Sequence, residues 1–280
     1  MSKICFISCS LARQILNEAS QFGRPGVRTQ EIGDLVTRLA FEAGAYPSPL
    51  NYQRFHKSVC TAVVCHGIPD SRALEDGDII NIDITTIVDG YFGDTSEMFC
   101  VGEVSEEATR LIDVTRKSMW LGIREVAPGK RVGDIGAVIE EYAHGELGYG
   151  VVDQFCGHGI GREFHMDPHI PHVGRRRTGK RFKAGMTFTI EPMINLGTHH
   201  CITLSTCEAE LYALAECAAR LALGEKALEV LSDASDEDAR ASTDCVEARV
   251  ANDADSGVLS VGGNLVVKLL EGPGGGRREP

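Results

Sequence analysis

The sequence predicts an α+β fold over residues 1–197: a pseudo-symmetric, curved antiparallel sheet backed by helices. Asp89-Gly90 sits between two runs rich in β-branched and aromatic residues, the strongest short-range signal for a two-residue hairpin turn. Two helical patterns followed by strands then occur twice in succession, the order expected when helices cover one side of a sheet. No apolar run reaches membrane length, and 280 residues are enough to bury a sizeable core. No letter-by-letter repeat accompanies the doubled order, so the symmetry is one of topology.

Leu11, Ile15, Ala19 and Phe22 recur at helical spacing and are stopped by Arg24-Pro25-Gly26. Thr29 is the expected N-cap of a second helix, with Ile32, Leu35, Val36 and Leu39 as its apolar stripe and Gly44 at its end. Residues 46–51, with prolines at 47 and 49, read as an extended loop into an apolar strand over 59–65, which ends at His66. The hairpin follows at 77–99. With Val88 and Tyr91 flanking its turn, Asp83 faces Ser96 and Thr85 faces Asp94. Asp83 and Asp94 are then diagonal neighbours on one face, with β-carbons roughly 7 Å apart or less. Ile80, Ile82 and Ile84 cover the opposite face and point into a core.

Ser105 caps a long helix carrying Leu111, Val114 and Leu121, Pro128-Gly129 breaks the chain, and Val132, Ile135, Val138, Ile139 and Tyr142 mark the next helix. Strands return at 150–155 and 186–194. Near residue 198 the composition changes. Residues 208–231 are alanine- and leucine-rich with helical patterning, 233–238 are acidic, and the Gly-, Pro- and Arg-rich tail 272–280 is expected to be disordered.

The formal net charge of −12 argues against a nucleic-acid surface spread over the protein. Arg175, Arg176, Arg177, Lys180 and Arg181 make one local basic loop, read as a solvated connection. Ten cysteines without regular spacing and without a Cys-x-x-Cys pair point to a reduced, cytoplasmic protein with no structural zinc site, its cysteines serving mostly as small core residues. No membrane association is expected.

The chemistry centres on the hairpin. Two carboxylates as close as Asp83 and Asp94 repel unless a proton or cation lies between them. In Cys156-Gly157-His158-Gly159, glycines let the backbone turn closely and present the imidazole. In 186–192, Phe188 and Ile190 point one way and Glu191 the other, where a buried carboxylate without a counter-charge would be costly. Asp83, Asp94, His158 and Glu191 form an oxygen-rich set with one imidazole, suited to Mn, Co, Fe or Zn rather than to a thiolate zinc site. Two such divalent ions roughly 3.5–4 Å apart, bridged by a carboxylate, activate water and polarise a carbonyl, which is hydrolase chemistry.

Residues from about 8 to 197 resemble the type I methionine aminopeptidases, the pita-bread fold, through YPSPLNY, CHGIPD, NIDITTIVDGYFGDTSEMF, CGHGIGREFH and FTIEPMIN. The resemblance implies that Asp83 chelates one metal, that Asp94 bridges both, and that His158 and Glu191 bind the second. It also implies that His66 and His165 contact the substrate and stabilise the transition state, so that His66, His165 and Glu191 form the catalytic set. It implies removal of the initiator methionine from nascent polypeptides with a small second residue, and association with the ribosome. The type II insertion between His158 and Glu191 is absent.

Two departures stand out. The family usually has a few more residues, including an Asn-Glu pair, where this chain runs through Cys60-Thr61-Ala62-Val63-Val64-Cys65. Its last metal ligand is a glutamate in a closing strand, in a motif like Tyr-Glu-His-Thr, and none follows Asn195. The fold is therefore expected to be C-terminally truncated, with an open sheet edge beside the site and impaired metal binding. Residues 202–214 (ITLSTCEAELYAL), together with VLSDAS at 230–235, resemble part of a copia-type retrotransposon ribonuclease H domain, which would make Glu210 and Asp233 metal-binding acids. The first catalytic strand and the later acids of that domain are absent, and an ordinary surface helix fits the same letters. The reading that competes with an aminopeptidase is a catalytically disabled pita-bread domain that binds peptides or proteins, or a truncated or fused product.

Overall fold

The structure is a computed structural model that describes residues 2–62, 67–196, 245–246 and 265–268. Helix α1 (Ser2–Phe22) lies on the hairpin of β3 (Ile79–Val88) and β4 (Tyr91–Cys100). The contact is close because β4 offers a glycine there: a Cβ on Gly93 would overlap the backbone of Cys9. Ser8 Oγ donates to the Thr86 carbonyl at 2.8 Å and pins the helix to the sheet. Arg13 Nη1 reaches Glu97 Oε2 at 2.5 Å, and Glu97 is fully buried.

Helix α2 (Thr29–Glu42) begins one residue earlier than expected. Thr29 is its first helical residue rather than its cap, because its hydroxyl donates to the Asp70 carbonyl and accepts from the Asp70 amide. The Arg28 amide is satisfied instead by the Glu31 carboxylate at 2.8 Å. Strand β1 (Tyr46–Pro47) pairs with β3, as does β2 (Cys60–Ala62), the described part of the apolar run.

The β3–β4 register is the expected one: Val88 pairs with Tyr91, Thr85 with Asp94 and Asp83 with Ser96. Asp89 and Gly90 both have positive φ, 49° and 74°, the signature of the type I′ turn whose twist matches the flanking strands. Ile80, Ile82 and Ile84 are buried in a core shared with α1 and α2.

Helices α3 (Glu106–Arg124) and α4 (Val132–Glu140) start the second half. Ser105 caps α3 by accepting the Ala108 amide at 3.1 Å. Tyr142 falls in a π-helical turn, Glu141–Glu146, that extends α4. Three strands follow: β5 (Gly150–Val151), β6 (Cys156–Gly159) and β7 (Met166–Pro171). The expected strand at 186–194 is two, β8 (Thr187–Ile190) and β9 (Ile194–Asn195), because Pro192 has no amide to give to a ladder. Leu111, Ile135, Ile139, Phe188 and Ile190 belong to a second core on this side. Two helices and a hairpin thus recur, each set with its own core.

Strand β10 (Cys245–Val246) pairs with β9, and β11 (Leu265–Lys268) pairs antiparallel with β8, Val266 opposite Thr189. The edge of β8 expected to be open is therefore occupied. The helix expected at 208–231 and the ribonuclease H-like segment lie outside the described residues. The basic loop is exposed, and Arg176 pairs there with Glu141 and Lys180 with Asp167, as suits a solvated connection. Among the four cysteines whose burial is described, Cys9 is a core residue, Cys60 is half-buried, and Cys100 and Cys156 at strand ends are exposed. No helix among the described residues is long and apolar enough to cross a membrane.

Candidate metal centre

Three of the predicted side chains converge, two from strands and one from just beyond a third. His158 Nε2 on β6 lies 3.6 Å from Asp94 Oδ2 on β4 and 3.6 Å from Glu191 Oε1, just past the end of β8. Asp94 and His158 are buried and Glu191 is nearly so. Asp83 stands on the same face of the hairpin, diagonal to Asp94. His66 lies outside the described residues. His165 is brought in, its ring centroid 4.2 Å from that of His158.

The glycines beside His158 act differently from expectation. His158 sits within a strand rather than on a turn, and neither Gly157 nor Gly159 has a positive φ. Bulk is what the site excludes: a Cβ on Gly157 would overlap the Thr189 carbonyl oxygen, and one on Gly159 the Asp167 carbonyl oxygen. The glycines let β6 pass close to its neighbours and so set the imidazole between the two carboxylates.

Other residues orient these groups, and the sequence reading did not single them out as such. Thr85 Oγ1 donates to Asp94 Oδ1 at 2.9 Å. Thr189 Oγ1 donates to Glu191 Oε1 at 2.6 Å and accepts the His158 amide at 2.9 Å. His172, buried, accepts the Glu191 amide through Nε2 at 3.1 Å, and burial pushes its pKa down to about 3, so it is neutral. Strand alternation could have found Thr85, opposite Asp94, and Thr189, two residues before Glu191. Nothing local in the sequence marks His172.

His158 Nδ1 lies 3.1 Å from the Gly159 carbonyl, which can only accept, so Nδ1 carries a proton and Nε2 faces the carboxylates. Burial alone would lower the His158 pKa. The hydrogen bond to Asp94 and the charges of Glu191 and Asp94 outweigh it and carry the pKa up to about 9. Burial acts to raise Asp94, but the bond to His158, its charge and the Thr85 hydroxyl hold the carboxyl below its usual range.

Two carboxylates and an imidazole are donors of the kind that divalent ions take, although among the described residues no group of three or more His, Cys, Asp or Glu side chains is already arranged to hold one. Atoms that bind one ion at about 2.0–2.2 Å lie roughly 3–3.5 Å apart, close to the separations around Nε2. The imidazole is oriented through its other nitrogen, as metal-bound histidines usually are. Beside it stands an aromatic wall. Phe164 stacks on Phe92 with centroids 5.4 Å apart and on His165 at 4.1 Å, and Tyr52 meets Phe164 edge-on at 5.1 Å.

Residues 5–214 match metallopeptidase family M24. The chain is 47% identical over 195 residues to a methionine aminopeptidase of Rickettsia prowazekii, covering 69% of this chain and 75% of that one. It is 48% identical over 199 residues to methionine aminopeptidase 1B, chloroplastic, of Arabidopsis thaliana, covering 70% of this chain but only 53% of the relative. The crystal structure of the Rickettsia prowazekii methionine aminopeptidase superposes with a TM-score of 0.70 at 45% identity, over 72% of this chain and 82% of that one. With its antiparallel sheets and doubled helix pairs, the chain belongs to the pita-bread metallopeptidases of family M24, among the methionine aminopeptidases.

Proposed function

We propose that this chain is a metal-dependent aminopeptidase that removes the N-terminal methionine from nascent polypeptides. The convergence of Asp94, His158 and Glu191 beside an aromatic wall containing His165 carries the reading. Asp83, Asp94, His158 and Glu191 would hold two divalent ions, of Co, Mn, Fe or Zn, and the ions would supply Lewis acidity and a water of lowered pKa. Phe164, Phe92 and Tyr52 offer polarisable ring faces and edges to a thioether side chain. His165, an exposed residue beside the cluster, would donate a hydrogen bond to the carbonyl oxygen of the first peptide bond, where negative charge develops. His66 shares the substrate contact in the same reading.

The division of the chain into a catalytic part to 197, a divergent segment over 198–271 and a tail from 272 belongs to this proposal, with 265–268 reaching back to β8. A cytoplasmic site of action beside the ribosome, where nascent N-termini emerge, follows from the substrate.

The test is release of methionine from a Met-Ala-Ser peptide by the metal-loaded chain. Asp94→Ala should lose both bound metal and activity, whereas His165→Ala should keep its metal and lose turnover. No methionine release at saturating metal would leave the peptide-binding reading in its place. Parallel loss of metal in His165→Ala would make that residue a ligand.

A further inference from the structure

Tyr52 faces the imidazole of His165 with its phenol oxygen 2.9 Å from Nδ1. The loop that presents Tyr52 is tightly held. The Asn51 amide donates to the Phe55 carbonyl at 2.7 Å, and the Phe55 amide donates to the Tyr52 carbonyl at 2.8 Å. Asn51 and Gln53, on either side of Tyr52, both take left-handed backbone conformations, φ 65° and 46°, that side chains rarely adopt. Such conformations persist only where the surroundings impose them, and they cluster where geometry serves a site. Here they turn one phenol toward one histidine. Tyr52 also packs edge-on against Phe164, which stacks on His165, so ring and hydroxyl are held together.

The direction of the hydrogen bond decides what His165 can do. Burial keeps Tyr52 in its phenol form, with its proton in place. Between a phenol and a neutral imidazole, the phenol O–H is the stronger donor and the ring nitrogen the stronger acceptor, so the 2.9 Å contact runs from the hydroxyl to Nδ1. A neutral imidazole that accepts at Nδ1 carries its proton on Nε2.

We propose that Tyr52 is a positioning residue for His165: its hydroxyl donates to Nδ1 and so holds the imidazole as the Nε2–H tautomer, with that N–H aimed into the site. The role of the aimed N–H rests on the aminopeptidase reading above; the tautomer does not. A donor fixed before substrate arrives need not reorient as charge builds on the carbonyl oxygen, which is where preorganised hydrogen bonds gain their effect.

The experiment has two arms. The full-length, zinc-loaded chain is labelled with 15N at histidine, and the His165 signals are those missing from His165→Ala. They should show a protonated Nε2 and a hydrogen-bonded, unprotonated Nδ1, and Tyr52→Phe should move Nδ1 to the position of a nitrogen that accepts no bond. A protonated Nδ1 in the wild type, or no change in Tyr52→Phe, overturns the proposal. This arm needs no substrate, so it decides the tautomer even if the chain releases no methionine. In the second arm, Tyr52→Phe, which keeps the ring, should lower kcat/KM on Met-Ala-Ser roughly 10- to 100-fold, the effect of disturbing a partner that orients a functional histidine. The same change in the His165→Ala background should cost nothing further. Equal losses in both backgrounds would show that Tyr52 does not act through His165.

Discussion

His158 is flanked by two carboxylates, Asp94 and Glu191, whose charges govern its protonation. With its pKa up to about 9 it holds a proton at neutral pH, whereas a metal ligand must offer Nε2 without one. Ion uptake therefore competes with that proton. Below about 9 the protonated form dominates and each unit of rising pH should strengthen Co binding about tenfold, levelling off near 9. Competition against a chelator between pH 6.5 and 9.5 would measure the slope, and a flat profile would show that no proton on His158 competes with the ion in that range. The side chains of this centre differ in how far the sequence exposes them. Asp83, Asp94, His158 and Glu191 could be read because strand alternation and charge cost act within a few residues. His172 could not, because its bond to the Glu191 amide joins β7 to the end of β8, and no local pattern announces such a contact. Tyr52 was visible only as a letter in a motif, since its partner His165 lies far along the chain.

Among the elements, β6 shows what its glycines are for. Gly157→Ala should destabilise the protein by about 1–3 kcal/mol, because the new Cβ meets the Thr189 carbonyl, a backbone atom that cannot rotate aside. Urea unfolding of the metal-free chain would check it, and an unchanged midpoint would mean that the strands can part at no cost. The seat of α1 on β4 gives a second test. Arg13→Ala removes the guanidinium beside a fully buried carboxylate and should cost roughly 3 kcal/mol, while adding Glu97→Gln should recover part of the loss. Equal unfolding midpoints for Arg13→Ala and the wild type would make the pair dispensable. The hairpin was legible down to its register because Asp89-Gly90 fixes the turn and the isoleucines fix the face. The elements beyond it were less so. The strand over 186–194 divides at a proline, and the His158 segment was taken for a turn because glycine serves close packing as readily as a bend.

For the whole molecule, the question is how the second half closes. The sequence offers no Tyr-Glu-His-Thr motif, and β11, the strand that stands against β8, reads Leu-Val-Val-Lys without a carboxylate. Backbone pairing is restored there; the charge is not. Val266 stands opposite Thr189, which bonds both Glu191 and the His158 amide, so Val266→Glu puts a carboxylate at the register position nearest the centre. That variant should bind divalent metal about tenfold more tightly and release methionine faster. Unchanged stoichiometry and rate would show that the chain needs no further acid.

The two sheet regions that make the centre also differ in when they can assemble. β3 and β4 meet across a two-residue turn, a search a chain completes in about 1–10 μs. β8 pairs with nearby β6, but its other neighbour comes from far along the sequence, and closing so long a loop delays that second pairing. Asp83 and Asp94 are thus in place early, while the surroundings of Glu191 mature late. On refolding, uptake of the ion should lag behind recovery of most of the helix signal and keep time with the docking of the final strand.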